Sequence, residues 1–530
     1  PQIAVYGDSI KISSLNAQDL SGIKKFELWY RSSNEDWSPL RKRDITSNQN
    51  GYQFIPSSSV KQYGVDFRIT AEDSAGNIGI LLNKTNPQKP ITFFSIPIKI
   101  PKKDLIGSTF STPGGTTKAY YRMFSSPIVF DSITAKDFWG HLGDYRYQWR
   151  FRVPINGLDN WIDGENEVIK SGISYFIITR NPSTVSGNSG TTVKFENIYR
   201  DGIQLQKGFN FIGNPFAFEI PNNKINFTDK NQSFQNNAWY YAGNYQWVLY
   251  EPFKVWGGYC IYAENPTKMV VEETIKNTTI LKNSSSIDGW ELQIIVNDGE
   301  LFDVSNYIGM KSKASNKYDI NDFHEPPRFD GGLSLFFPHN DWDAYSGNYA
   351  GDFREISNGN KWDFTILSEK DRVINIEFKP SEYFPNNFII QLFDKDNLRY
   401  IPINNYKAKI HSNDGVRNFS LFIGTQEFQS ENENKIDFTP NEYKLYQNYP
   451  NPFNSKTKII YHLPEEGLVR LEVYSILGSK VKTVINEYQQ KGIYEIIFDA
   501  KDLASGVYFY RLNIEGKRNY SFIRKMIYMK

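Results

Sequence analysis

Along most of the chain, apolar and polar residues alternate one by one over short runs. In the run 24–31, "KKFELWYR", Phe26, Leu28 and Tyr30 fall on one side and Lys25, Glu27 and Trp29 on the other, the period of two required of a strand with one buried face. Val469, Leu471 and Val473 alternate with Arg470, Glu472 and Tyr474 in the same way. Turn formers punctuate the runs. Gly64 opens "GVDFRITAEDSAGN", and its last six residues close it as a turn. Further strand-like runs between 289 and 424 are "WELQIIV", "GGLSLFFP", "KWDFTIL", "VINIEF" and "NFIIQLFD", interrupted where Pro326-Pro327 forbid regular pairing. Toward the C-terminus the pattern predicts strands at 458–463, 468–474, 481–485, 494–498, 507–514 and 520–529.

One part of the chain repeats itself. "YRMFSSPIVF" (121–130) aligns without gaps to "FNFIGNPFAF" (209–218), matching Pro127 to Pro215 and Phe130 to Phe218. "YQW" recurs at 147–149 and 245–247, and "KSGISYFIITRNP" (170–182) lines up with "KVWGGYCIYAENP" (254–266). Three matches in the same order predict two related β-units, residues 118–182 and 203–272, packed as one pseudo-symmetric domain. A unit of ~60 residues buries proportionally little surface, so neither half is expected to stand alone.

Length and composition extend this picture. At ~100–200 residues per domain, 530 residues predict several compact units. Aromatic residues make up 16% of the chain, which together with many Gly, Pro, Asn and Ser is the composition of turn-linked strands. The expected fold class is therefore all-β, as tandem β-sandwich modules. The boundaries read as 1–100, an internally duplicated domain at 101–282, a module at 283–427, a polar linker at 428–440 and a last domain at 441–530.

The formal charge of +1 provides no basic field for nucleic acid. A lone Cys260 excludes an internal disulfide framework and any cysteine-based metal cluster. No run approaches the ~18–20 apolar residues of a membrane span. The start, Pro1-Gln2-Ile3, has neither the basic head nor the apolar middle of a signal peptide, and reads as a cleavage point or fragment boundary with export information upstream.

Two resemblances follow from particular residues. The cadence "YR…W…GVDFRITAEDSAGN" in the first segment resembles the fibronectin-type or immunoglobulin-like modules of bacterial surface proteins. "YQNYPNPFNSKTKIIYHLPEEGLVRLEVYSILGSKVKTV", then "GIYEIIFDAKDLASGVYFYRL" and the basic ending "KRNYSFIRKMIYMK", resembles the type A C-terminal sorting domain of the type IX secretion system. The matching residues are Asn448, Tyr449, Pro450, Asn451, Pro452, Phe453, Asn454, Gly478, Leu503, Ala504, Gly506, Tyr508 and Lys525. This resemblance implies an immunoglobulin-like sandwich read as an address by outer-membrane machinery, then cleaved by a sortase, with the remainder attached to a surface glycolipid. It places the protein outside the cell or on its outer surface. Pro450 and Pro452 restrict φ at their own positions and bias Tyr449 and Asn451 toward extended geometry, so the lead-in reads as stiff and exposed. The preceding β modules resemble uncharacterised modules found ahead of such domains, which implies no activity.

Candidate chemistry elsewhere is sparse. His141, His324, His339, His411 and His462 fall in no HExxH-like pair or GxSxG elbow and read as surface or loop residues. Asp319, Asn321, Asp322 and Glu325 offer hard oxygen ligands for a structural calcium, the one cofactor the sequence suggests, although Gly and Glu are missing from the sixth and twelfth positions of an EF-hand loop. An Asx-rich turn is the competing reading. Ser9, Ser74 and Ser132, each preceded by Asp, resemble a short O-glycan acceptor pattern. The tryptophans suit sugar stacking, with core packing the stronger reading, above all for Trp149 and Trp247 of the repeat.

The expected function is a secreted, surface-associated protein with a structural, adhesive or assembly role and no catalysis in this chain. Beyond the secretion machinery and its sortase, its expected partners are neighbouring subunits or surface polysaccharide. The alternative is the non-catalytic C-terminal region of a secreted peptidase or glycosidase whose catalytic domain lies upstream.

Overall fold

The computed structural model describes all residues except 1–2, 13–21, 38–40, 49–52, 81–92, 105–110, 113–119, 155–160, 186–187, 230–237, 244–245, 250–251, 274–288, 329–331, 369–371, 413–414, 434–439, 441 and 530. The fold is all-β. It divides into two compact units, one of Pro1–Glu355 with Lys379–Tyr383, the other of Ile356–Phe378 with Phe384–Lys530.

The first unit begins with a sheet in which Ile23–Ser32 pairs with Lys42–Asp44 and Val65–Asp73, and the latter with Ile78–Ile80 and Phe94–Ile96. Phe26 and Leu28 enter the core of this module, as the alternation predicts. Arg31 and Asp66 are fully buried and paired at 3.1 Å, and Ser33 and Ser95 also donate to the Asp66 carboxylate. Arg31 donates at 2.8 Å to the Glu273 carbonyl, at the far end of the duplicated region, while its guanidinium lies 4.3 Å from the Trp37 ring.

In the duplicated region the first repeat contributes β1 (Arg122–Phe124), β2 (Trp149–Pro154), β3 (Trp161–Asp163) and β4 (Tyr175–Thr179). The second contributes β5 (Gly208–Gly213), β6 (Ala238–Gly243), β7 (Gln246–Val248) and β8 (Gly258–Ala263). Their sheets run β1-β4-β2-β3 and β5-β8-β6-β7, the same order in each. Matched residues make matched bonds. The Tyr175 hydroxyl accepts from Lys170 N at 3.0 Å, and that of Tyr259 from Lys254 N at 2.8 Å. Ser126 Oγ and Asn214 Oδ1 each accept from the amide two residues on.

The two halves also exchange bonds. Ser125 N donates to Trp256 O, and its counterpart Gly213 N donates to Gly172 O, the position equivalent to Trp256, both at 3.0 Å. Gly172 and Trp256 both have positive φ, 77° and 65°. A tryptophan tolerates that conformation because its ring is buried in the first repeat's core, stacked 5.9 Å from Phe124. Met123, Phe176 and Ile178 of the first repeat share another core with Trp239, Tyr241, Trp247 and Cys260 of the second.

That shared core continues into Phe323, Ala350 and Phe353 of the strands that follow. There Gly289–Asn297 pairs with Phe302–Lys311, which runs parallel to Gly347–Arg354, itself antiparallel to Phe323–His324 and Leu333–His339.

In the second unit, Gly415–Gly424 lies between Gly359–Ser368 and Ile389–Asp394. The register places Gly359 opposite Gly424, and the Phe428 ring occupies the space that a side chain at either position would need. This packing corrects the reading of the start of the polar linker as unstructured chain. Gln426–Glu433 is a helix, and Gln429 is buried with its amide donating to Ile389 O at 2.8 Å. Polar composition concealed one apolar anchor and one glutamine able to satisfy sheet-edge carbonyls. Residues 434–439 of the expected linker lie outside the described residues.

The C-terminal sandwich contains β9 (Lys444–Leu445), β10 (Lys456–Leu463), β11 (Gly467–Ser475), β12 (Lys480–Gln489), β13 (Gly492–Asp499), β14 (Gly506–Glu515) and β15 (Tyr520–Tyr528). A three-stranded sheet, β9-β10-β13, faces a four-stranded one, β12-β11-β14-β15. Val469, Leu471 and Val473 are fully buried between them with Ile459, Tyr461, Leu463, Tyr510 and Leu512.

Candidate functional site

The segment 446–458 is fastened by a network of side-chain and backbone bonds. Asn448 is buried, and its side-chain amide donates to Thr457 Oγ1 at 2.9 Å and to Pro450 O at 3.1 Å. Thr457 Oγ1 in turn donates to Pro450 O at 2.8 Å. The Tyr510 hydroxyl, from the middle of β14, accepts from Asn448 N and donates to Tyr446 O, both at 2.7 Å. The bonds Tyr449-Pro450 and Asn451-Pro452 are cis.

The far side of the segment is fastened to the last strand. Phe453 N donates to Ile527 O, and Met529 N donates to Phe453 O, at 3.0 and 2.9 Å. Asn451 Oδ1 accepts from Ile527 N at 2.8 Å, and Gln447 Nε2 donates to Lys525 O at 2.6 Å. Phe453 inserts its ring into the core beside Tyr528. The lead-in is thus not uniformly exposed, as expected from its prolines. Asn448 and Phe453 are internal anchors, whereas Tyr449, Pro450, Pro452 and Asn454 face solvent. Tyr449 also lies against His411, with ring centroids 4.3 Å apart.

The remaining expected residues serve the same frame. Gly478 has φ 81° in the β11–β12 turn, a left-handed geometry that favours glycine. The Tyr508 hydroxyl donates to Ala504 O at 2.8 Å, closing the turn before Gly506 opens β14. Lys525 presents an exposed side chain while its carbonyl holds Gln447.

Residues 447–529 match the family of secretion system C-terminal sorting domains. This domain is a type IX sorting domain. A sorting domain of this kind marks its protein for secretion to the cell surface or extracellular space. Among the described residues, no helix is long and apolar enough to cross a membrane. A comparison of the chain with curated proteins found no match.

Ahead of the sorting domain, the oxygens of the calcium candidates accept bonds from the chain itself. Asp322 is buried, its two oxygens accepting from Phe353 N and Asp319 N at 2.8 Å. Asp319 Oδ1 accepts from the backbone and side chain of Asn321, and Glu325 accepts from Ser334 Oγ. The cluster closes an Asx turn, and no group of three or more His, Cys, Asp or Glu residues is disposed to hold a metal among the described residues. Ser9, Ser74 and Ser132 are exposed.

Three histidines correct the surface reading. His324, His339 and His462 are buried in strands. His324 Nε2 lies 2.6 Å from Glu264 and its ring stacks on Tyr262 at 3.7 Å; His339 Nε2 lies 3.0 Å from Asp352 and its ring stacks on Trp342 at 3.5 Å. Glu264 and Tyr262, about sixty residues away, hold His324 inside, and Asp352 of the neighbouring strand with Trp342 does the same for His339. Burial, with Lys444 nearby, pushes His462 down to about 4.

Sequence reasoning missed one further constellation. Asp303, Ser305, Glu325, Arg328 and Ser334 line a small cavity with Trp239 and Trp247. Burial pushes the Asp303 carboxyl up to about 6 against the Leu335 N–H it accepts at 2.6 Å, and pushes Glu325 well above the ordinary range. Among the cavity's polar residues only Glu325 had a signal in the sequence, as a calcium ligand, because its cavity partners come from several separate segments.

Proposed function

We propose that the residues ahead of the sorting domain are a structural or adhesive surface component that carries out no catalysis. The observation that carries this reading is the continuity of the first unit. Among the described residues, its successive β segments are joined by buried polar and apolar contacts. Arg31 and Trp37 hold Glu273; Ser95 exchanges bonds with Glu196; His324 contacts Glu264; and Ser305 Oγ donates to Trp247 O at 2.7 Å. Such joints resist bending, a property suited to a load-bearing or spacing element. Its large aromatics support the same reading, since Trp139, Trp239 and Trp256 are spent on packing.

The sorting domain supplies delivery, and surface polysaccharide or neighbouring subunits are the partners this reading names. The test compares cells expressing the full chain with cells in which residues 1–440 are replaced by an inert secreted protein. Unchanged delivery of the replacement but loss of the cells' adhesion to surfaces or to one another, and no release of products from peptide or glycan panels by the purified chain, are the expected results. Turnover of any substrate in those panels would replace this reading with that of a hydrolase.

A further inference from the structure

The β11–β12 hairpin turns at Ser475–Ser479, and its tip carries Ile476 and Leu477, 68% and 89% exposed. The turn is closed by its own bonds: Gly478 N donates to Ser475 O at 3.0 Å, Ser475 N to Ser479 O at 2.9 Å and Ser479 N to Ser475 Oγ at 3.3 Å. Turn tips ordinarily carry polar residues. Here two adjacent aliphatic side chains are held in water on a closed turn, and neither belongs to the core of the domain, which is complete without them. Both lie inside the span matched as a sorting domain.

We propose that Ile476 and Leu477 form the docking element of the sorting domain and insert into an apolar pocket on a protein of the secretion machinery. The proposal rests on the sorting reading of this domain. Two aliphatic side chains on a turn closed by its own bonds are anchors whose backbone loses little freedom on binding.

Other occupants fit less well. A second copy of the chain would need roughly 1,200 Å² of buried surface for a stable interface, far beyond two side chains. A lipid surface is held by unengaged basic groups and interfacial aromatics around an apolar tip. Around this tip Lys480 pairs with Glu472 at 3.1 Å, Lys482 donates to Asp499 O at 3.3 Å, and the Tyr474 hydroxyl donates to Glu472 at 2.7 Å.

The test expresses the full chain in a host with working type IX machinery and measures the fraction reaching the surface or medium. It compares the natural chain, the double variant Ile476→Asp with Leu477→Asp, the control Ile497→Asp at a 67% exposed position on β13, and a chain lacking 441–530. Circular dichroism of the purified variants checks folding. The expected result is delivery of the natural chain and the control, retention of the deletion, and a loss of about tenfold or more for the folded double variant.

Delivery of the double variant at the natural level, with the deletion retained, overturns the docking element and leaves the sorting reading intact. Equal loss in the Ile497 control also overturns it. Delivery of the deletion overturns the sorting reading itself. If the purified natural chain binds phosphatidylglycerol vesicles and the double variant does not, the tip is a lipid anchor and the proposal of a protein pocket falls.

Discussion

Single residues show most clearly what burial costs and what offsets it. Arg31 and Asp66 are both wholly buried, and burial raises the Asp66 carboxyl against the opposing guanidinium and serine hydroxyls. Arg31→Met leaves an uncompensated interior carboxylate, and a loss of about 3–5 kcal/mol is expected in denaturant unfolding. Two titrating groups act in opposite directions. His462 has its folded pKa depressed to about 4, so the fold prefers the neutral ring. That contribution is complete above pH about 6.5 and is lost as pH falls toward 4, by up to about 3 kcal/mol. His462→Phe should remove this part of the acid sensitivity in melting curves between those values. Asp303 is raised to about 6. Its neutral form is favoured, so stability is full below pH about 4 and falls as pH rises through 6. Asp303→Asn should therefore raise stability by about 1–3 kcal/mol at pH 7.5 and leave it unchanged at pH 4. None of these three roles has a sequence signature, because each depends on what surrounds the residue rather than on its neighbours along the chain.

At the scale of elements, alternation was readable wherever one sheet face is buried. In the sorting domain the six strands expected at 458–529 correspond to β10 through β15, differing only at their ends. The two-residue β9 was invisible, since so short a run has no period. The repeated letters in 121–266 coincide with sheets of identical strand order, yet the reciprocal bonds across the halves had no one-dimensional trace. Small residues sit at that contact. A Cβ on Gly213 would overlap the Ser125 side chain, and one on Gly258 that of Ser174. Gly258→Ala is expected to cost about 1–3 kcal/mol by overpacking. Combining Ser174→Gly with Gly258→Ser, which moves the hydroxymethyl group across the contact, should recover most of it in the same unfolding measurement.

At the scale of the molecule, cores shared between segments predict that the first unit unfolds cooperatively. Trp256 belongs to the second repeat but completes the core of the first. Trp256→Ala should cost about 3–5 kcal/mol, and hydrogen exchange should show lost protection in β1, β2 and β4 as well as in β8. Confinement of the loss to β8 would refute the coupling. Because the oxygen ligands at 319–325 turn to backbone amides and to Ser334, chelation is expected to leave the thermal midpoint unchanged. A fall in the midpoint would support the calcium reading.

The sequence by itself determined the all-β class, the positions of most strands in the last domain, and the destination of the protein. Those properties depend on local alternation, turn chemistry and a contiguous run of matched residues around 448–454. Tertiary structure alone decided which members of that run are anchors and which face solvent, which histidines are interior, and how the repeats interlock. The reason is physical. Burial and hydrogen-bond partnership are set by side chains brought together from distant segments, as Asn448 is with Tyr510, and period along the chain carries no record of partners across it.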